Sequence, residues 1–211
     1  MGFTSGARQL SALMMQDVTT LHAEGFMELY ADRQIGLLTL LLVMLGLLVA
    51  AGSVIHAMGH PLICKCGYVT LFYGGLDDAE VSQHFIDWYT FSHVGHGIAV
   101  YVFMRAFTDH QPPTTLPTIA LGLLISVSVA GLWEVIENAP FVVTSFAKTT
   151  RVHGYVGDSV VNSMGDMLAT VLGFLVAARA PTWLSIAIIA AILFVLPRDN
   201  TWIFSDQWFV H

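Results

Sequence analysis

The chain has 211 residues, 55% of them hydrophobic and only 11% charged, with a formal net charge of −7 and a mean hydropathy of +0.70. A soluble domain of average composition is about 25% charged, so the sequence reads as an integral membrane protein. The acidic balance excludes nucleic acid as a partner, because no basic patch is present to neutralise a phosphate backbone.

Residues 1–34 show no basic start leading into an apolar run and a cleavage site, so no removable signal peptide is expected. Leu10, Leu13, Met14, Val18 and Leu21 instead recur at helical spacing. That pattern predicts an amphipathic helix lying at the interface or against a partner. Four acids against two arginines in this segment weaken simple attraction to anionic lipid. A membrane helix needs roughly 20 mostly apolar residues, and the domain 35–197 is expected to supply five: 35–56, 87–107, 116–137, 158–178 and the shorter 182–196. Pro117 suits the first turn of the third span, and Pro140 suits a stop just beyond its end. Residues 198–211 are a short tail. The expected fold class is all-α, an integral membrane bundle of about five transmembrane helices. Orientation does not follow from basic residues. Arg8, Arg33, Arg105 and Arg179 fall on one side, and Lys65, Lys148, Arg151 and Arg198 on the other. The short loops 108–115 and 180–181 favour an N-terminus inside.

Alternating helix directions gather four span ends at one membrane face. They carry His56 and His60, then Asp87 with His93 and His96, then Glu134 and Glu137, then Asp158, Asn162 and Asp166. His93 and His96 are one turn apart, as are Glu134 and Glu137, so each pair shares a helix face. At 1.5 Å per residue, His96 is roughly 13 Å in from Asp87, and Asp166 about 12 Å in from Asp158. A charge at such depth costs at least ~2.5–3.5 kcal/mol and marks function by default. The glutamates end a helix whose dipole is already negative there, so they need a compensating proton, cation or metal.

Glu134, Glu137, Asp158 and Asp166 are thus candidate catalytic carboxylates. Asp87, Asn138 and Asn162 are candidate ligand-binding residues. His93, His96, Glu134, Glu137 and Asp166 are candidate ligands for a divalent metal such as zinc, iron or manganese. Asp87 and Asp158 also stand where N-caps stand, and Asn162 suits a bond between helices. His56 and His60 read as interfacial residues. Trp88, Tyr89, Trp133, Trp183 and Trp202 read as interface anchors. "HAMGHPLICKC" offers a second metal set in His56, His60, Cys64 and Cys66, but its spacing is not a standard zinc one. Two unbonded thiols are the expectation for this loop, since Cys-x-Cys strains a disulfide.

"HPLICKCGYVTLFYGG", "SQHFIDWYTFSHVGHG", "WEVIENAPF", "GYVGDSVVNSMGDMLATVLGF" and "RDN" together resemble an uncharacterised family of multi-pass inner-membrane proteins of alphaproteobacteria, catalogued as a domain of unknown function. The resemblance covers about 57–200 and implies a bacterial inner-membrane location. Asp87, His93, Glu134, Asp158 and Asn162 are also similar in pattern to VanZ-like membrane proteins, which implies an amphipathic ligand at the outer leaflet. The expected function is a metal-assisted enzyme or binding protein for membrane lipid or lipid-linked headgroups. The alternative is a non-catalytic accessory subunit that contacts other membrane protein subunits through residues 9–22 and the fifth span.

Overall fold

The computed structural model describes residues 36–76, 78–107, 116–149 and 152–195. The amphipathic helix expected in 1–34 and the tail 198–211 lie outside the described residues. Within them all regular structure is helical: α1 is Gly36–Ala57, followed by α2 Thr90–Phe107, α3 Leu116–Glu137, α4 Pro140–Thr149, α5 Val160–Arg179 and α6 Thr182–Val195. The chain divides into two units, Met1–Val43 and Met44–His211. The described part of the first is the opening of α1, with Leu37, Leu38, Leu41 and Leu42 exposed.

Among the described residues three helices, α1, α3 and α5, are long and apolar enough to cross a membrane. This corrects the expectation of about five. In α2 the 18-residue length suffices, but His93, His96 and Arg105 dilute its apolar character. The 14 residues of α6 extend about 21 Å, short of a hydrocarbon core of about 30 Å. Between α3 and α5 stands the unexpected α4. Pro140 stops α3, as its position predicts, and then opens α4, where its missing N–H is harmless.

The most buried of these helices is α5, which carries two ridges at i+4 spacing. One is small: Gly165, Ala169, Gly173 and Ala177. The other is polar: Asn162, Asp166 and Thr170, all buried. The small ridge lets α2 approach until backbones touch. A Cβ on Gly173 would strike the carbonyl of Val94, and one on Gly97 the carbonyl of Thr170. Lipid tails are as apolar as leucine, so such close packing, rather than the hydrophobic effect, holds membrane helices together. Below the ridge Phe174 is fully buried among Ile98, Tyr101 and Met104, its ring seated against Gly122 of α3. A second cluster joins Ala51, Val127, Ala130 and Met167 of α1, α3 and α5.

The irregular segment 58–89 folds over the start of α5 and satisfies it. The first amides of a helix have no partner of their own. Here Val160 N donates to Pro61 O at 2.9 Å, Val161 N to Leu62 O at 3.1 Å, and Ser159 N to Ser82 O at 2.9 Å. Ser159 is the N-cap, its side chain accepting from Asn162 N. In the same segment Cys64 and Cys66 form a disulfide rather than two unbonded thiols. A turn closed by Gly67 N to Cys64 O at 3.1 Å, with Gly67 at φ +89°, folds the chain back on itself. The two Cα atoms then stand 5.1 Å apart, within ordinary disulfide range.

Candidate functional site

Three helices each deliver one ionisable side chain to a point between them: His93 from α2, Glu134 from α3 and Asp166 from α5. His93 Nδ1 is 3.4 Å from Glu134 Oε1, and His93 Nε2 is 4.0 Å from Asp166 Oδ2. One nitrogen or oxygen from each residue lies within 4.8 Å of the others. The residues are 4%, 0% and 3% exposed. Nevertheless His93 Nδ1, both Glu134 carboxylate oxygens and Asp166 Oδ1 have no hydrogen-bond partner. Buried polar atoms nearly always have one, and each orphan costs about 1–3 kcal/mol.

The other two expected ligands stand outside this trio. His96 is half-buried, its ring edge-on to His93 at 5.0 Å and to Trp133 at 5.3 Å. Trp133, expected as an interface anchor, thus belongs to the wall of the site, with its Nε1 buried and unpartnered. Glu137 lines a cavity of about 30 Å³ with Ser82, Tyr89, Tyr155 and Asp158. His93 and Asp166 also border it, and Phe146 of α4 closes one side. A water needs at least about 10–15 Å³ measured this way, so the space fits one or two waters or a small ion. Ser82 at its edge holds φ 60°, a conformation that costs a residue with a Cβ on the order of 1–3 kcal/mol.

Asp158 is held by Asn138 and Tyr155. Asn138 Nδ2 donates to its Oδ2 at 2.7 Å, Tyr155 OH to its Oδ1 at 3.4 Å, and its own amide to Asn138 Oδ1 at 2.8 Å. Burial pushes its carboxyl up to about 6, against the pull of the Asn138 hydrogen bond. Burial, followed by the charge of Asp158, also holds Tyr155 well above the usual phenol range. Asp158 does not cap α5, since Ser159 does. Asp87 does act as a cap. Its Oδ1 accepts from Tyr89 N at 2.8 Å and Thr90 N at 3.1 Å, and its Oδ2 from Ser82 N at 2.9 Å.

The polar atoms of Asp87, Asn138 and Asn162, three expected ligand contacts, are therefore engaged within the protein. Asn162 Nδ2 donates to His84 O at 2.8 Å, and Asn138 Nδ2 also reaches Glu134 O at 3.1 Å. These residues brace the segment 58–89 and the end of α3 against α5. His60 belongs to the same brace and is not an interfacial residue. It is buried, with Nδ1 2.9 Å from Asp158 O and Nε2 2.9 Å from Asn138 O. Gly157 makes room for it: at φ +85°, a Cβ there would strike the His60 ring. Gln83, whose Nε2 donates to Gly157 O at 2.6 Å, completes the brace. Nothing in the spacing of His60 or Gln83 advertises this role. The glycines flanking Tyr155–Val156 were the one sequence signal that a tight backbone turn meets the site.

A family model described as "Protein of unknown function (DUF2585)" matches residues 55–203. The chain is 40% identical over 160 residues to the UPF0314 protein Atu8092 of Agrobacterium fabrum, covering 74% of this chain and 77% of that one. It is 37% identical over 162 residues to a UPF0314 protein of Sphingopyxis alaskensis, covering 75% and 83%. A UPF0314 protein of Brucella anthropi is 36% identical over 162 residues, covering 75% and 79%. No solved structure matches.

Proposed function

The chain belongs to the DUF2585 (UPF0314) family of alphaproteobacterial proteins of unknown function, and for it we propose a buried metal centre that serves hydrolysis or group transfer on a lipid or lipid-linked headgroup. The observation that carries the reading is the trio itself: one imidazole and two carboxylates converge at one point with their inward atoms unpartnered. A divalent cation at that point satisfies all three residues at once, and zinc, iron and manganese accept this donor set. Such an ion supplies charge stabilisation and an acidified water. His93, Glu134 and Asp166 hold it. Glu137, facing the adjoining cavity, takes the proton of an attacking water. Asp158, with its carboxyl near neutrality, returns a proton to the leaving group, which suits a general acid. His96, backed by Trp133, fixes the His93 ring from the side.

The choice of a lipid substrate is supported by the three apolar helices and by the site's position where α2 begins and α3 ends. On this reading the chain sits in the inner membrane as a multi-pass protein with the site toward the outer leaflet, a setting supported by the three apolar helices. A cavity of about 30 Å³ admits water and not a headgroup, so substrate entry requires α4, with Phe146, to swing aside. The test is reconstitution, with and without added zinc or manganese, in vesicles of phosphatidylethanolamine and phosphatidylglycerol, followed by mass spectrometry of the lipids and released headgroups. Metal-dependent turnover that disappears in Asp166→Asn and falls in Glu137→Gln supports the reading. Tight metal binding with every lipid unchanged removes the enzymatic half of it.

A further inference from the structure

The segment 58–89 holds a second chemical cluster, separate from the trio. Cys64 and Cys66 are disulfide-bonded. Their sulfurs, a ring nitrogen of His84 and a carboxylate oxygen of Glu80 all lie within 4.8 Å of one another. The two sulfurs are not equivalent: Cys66 is exposed, whereas Cys64 is 4% exposed. Cys64 Sγ accepts the backbone N–H of Cys66 at 3.1 Å.

The tautomer of His84 follows from its neighbours. Thr70 N donates to His84 Nδ1 at 3.2 Å, so the ring carries its proton on Nε2. That proton goes to Glu80 Oε2 at 3.1 Å, which also accepts from Tyr68 OH at 2.6 Å. The rings of Tyr68 and Tyr73 lie over the imidazole, with centroids 5.2 and 4.7 Å away. With Nδ1 taken by Thr70 N and Nε2–H by Glu80, neither ring nitrogen is free for a metal, and the His84–Glu80 pair stands within 4.8 Å of the sulfurs as a source of a proton for a thiolate. Lys65, between the cysteines, adds positive charge, and cationic surroundings favour thiolates.

We propose that Cys64–Cys66 is an exchangeable redox pair, with Cys66 as the sulfur attacked, Cys64 as the leaving thiolate and His84–Glu80 as its proton-holding partner. The co-reactant is an external dithiol. One of its thiolates attacks the exposed Cys66 Sγ; a new S–S bond forms, the Cys64–Cys66 bond breaks, and the electron pair leaves on Cys64 Sγ. That charge is met by the Cys66 amide, and the His84–Glu80 pair, within 4.8 Å, passes it a proton. The second thiolate of the dithiol then attacks its own partner sulfur in the mixed disulfide and releases Cys66. The dithiol is oxidised to a disulfide, the Cys64–Cys66 pair is reduced to two thiols, and the two protons lost by the dithiol are taken up by the pair. The reverse direction passes oxidising equivalents outward.

The experiment uses the full chain in mild detergent, with thiols alkylated and counted by mass spectrometry. Dithiothreitol should reduce the pair without denaturant, and oxidised dithiothreitol should restore it. With glutathione disulfide as probe, Cys64→Ser should capture glutathione on Cys66 about tenfold or more faster than Cys66→Ser captures it on Cys64, because burial separates the two thiols. In His84→Gln, loss of the group that hands Cys64 its proton should slow reduction at least about tenfold. If that variant does not fold, the two cysteine variants decide alone. A pair that resists excess dithiothreitol until the protein is denatured overturns the proposal, as do equal capture rates in the two variants. Stoichiometric zinc binding by the reduced chain, with exchange suppressed, overturns it in favour of a redox-gated metal site.

Discussion

Replacing Glu134 with leucine should change stability in opposite directions with and without metal. Glu134 is fully buried and both carboxylate oxygens lack a partner. At about 1–3 kcal/mol for each unsatisfied atom, the metal-free protein carries about 2–6 kcal/mol of strain at this residue alone. A leucine of similar volume removes both atoms, and with them that cost. At about 2–4 °C per kcal/mol for a chain of this size, Glu134→Leu in chelator should melt at least about 4 °C above wild type. With metal the order reverses. A ligand at about a hundredfold over its Kd adds about 2.7 kcal/mol, or roughly 5–11 °C, to the wild type and little to the variant. Differential scanning fluorimetry in detergent, with chelator and then with zinc or manganese, reads both signs. A variant that melts below wild type in chelator would mean that Glu134 has a protein partner in solution. Equal metal responses in the two proteins would remove it from the metal site.

Gly173→Ala places a methyl against the Val94 carbonyl and must push α2 from α5. It should cost about 1–3 kcal/mol and weaken metal binding, because His93 precedes Val94; a variant with wild-type melting and metal affinity would show that the helix contact does not set the site. Ser159→Ala removes the α5 cap and the hydroxyl that donates to Gln83 O at 3.0 Å. The expected loss is about 0.5–2 kcal/mol, read as a Tm lower by about 1–8 °C. For Asp158 the folded value, near 6, lies above the ordinary aspartate value of about 4. The native state therefore binds the extra proton, and stability falls as pH rises from about 4 to about 6, by up to about 3 kcal/mol. Asp158→Asn should flatten that part of the melting profile against pH, and parallel profiles would contradict the assignment.

How far the sequence speaks depends on the kind of interaction. Long apolar runs made α1, α3 and α5 legible, because a membrane crossing is a matter of length and hydropathy. The convergence of His93, Glu134 and Asp166 followed from alternation of helix direction and one-turn spacing. The helix count failed where apolar segments are too short or too polar to cross, as in α6 and α2. The exclusion of His96 and Glu137 from the trio was invisible, since spacing gives a shared face but not the few ångströms that separate a ligand from its neighbour. The roles of His60 and Gln83 depend on backbone carbonyls brought from residues 78 and 74 positions away, which no local pattern encodes. The Cys64–Cys66 bond needed the backward turn at Gly67, and the contact of α2 with α5 needed the small ridge to be read as a surface rather than as scattered glycines.

The most direct test of the metal centre is elemental analysis of the chain purified in mild detergent, beside the folded double variant His93→Ala, Glu134→Ala. One equivalent of a divalent transition metal is expected in the wild type and none in the variant. No metal in the wild type, after growth and purification with zinc, iron and manganese supplied, would contradict it.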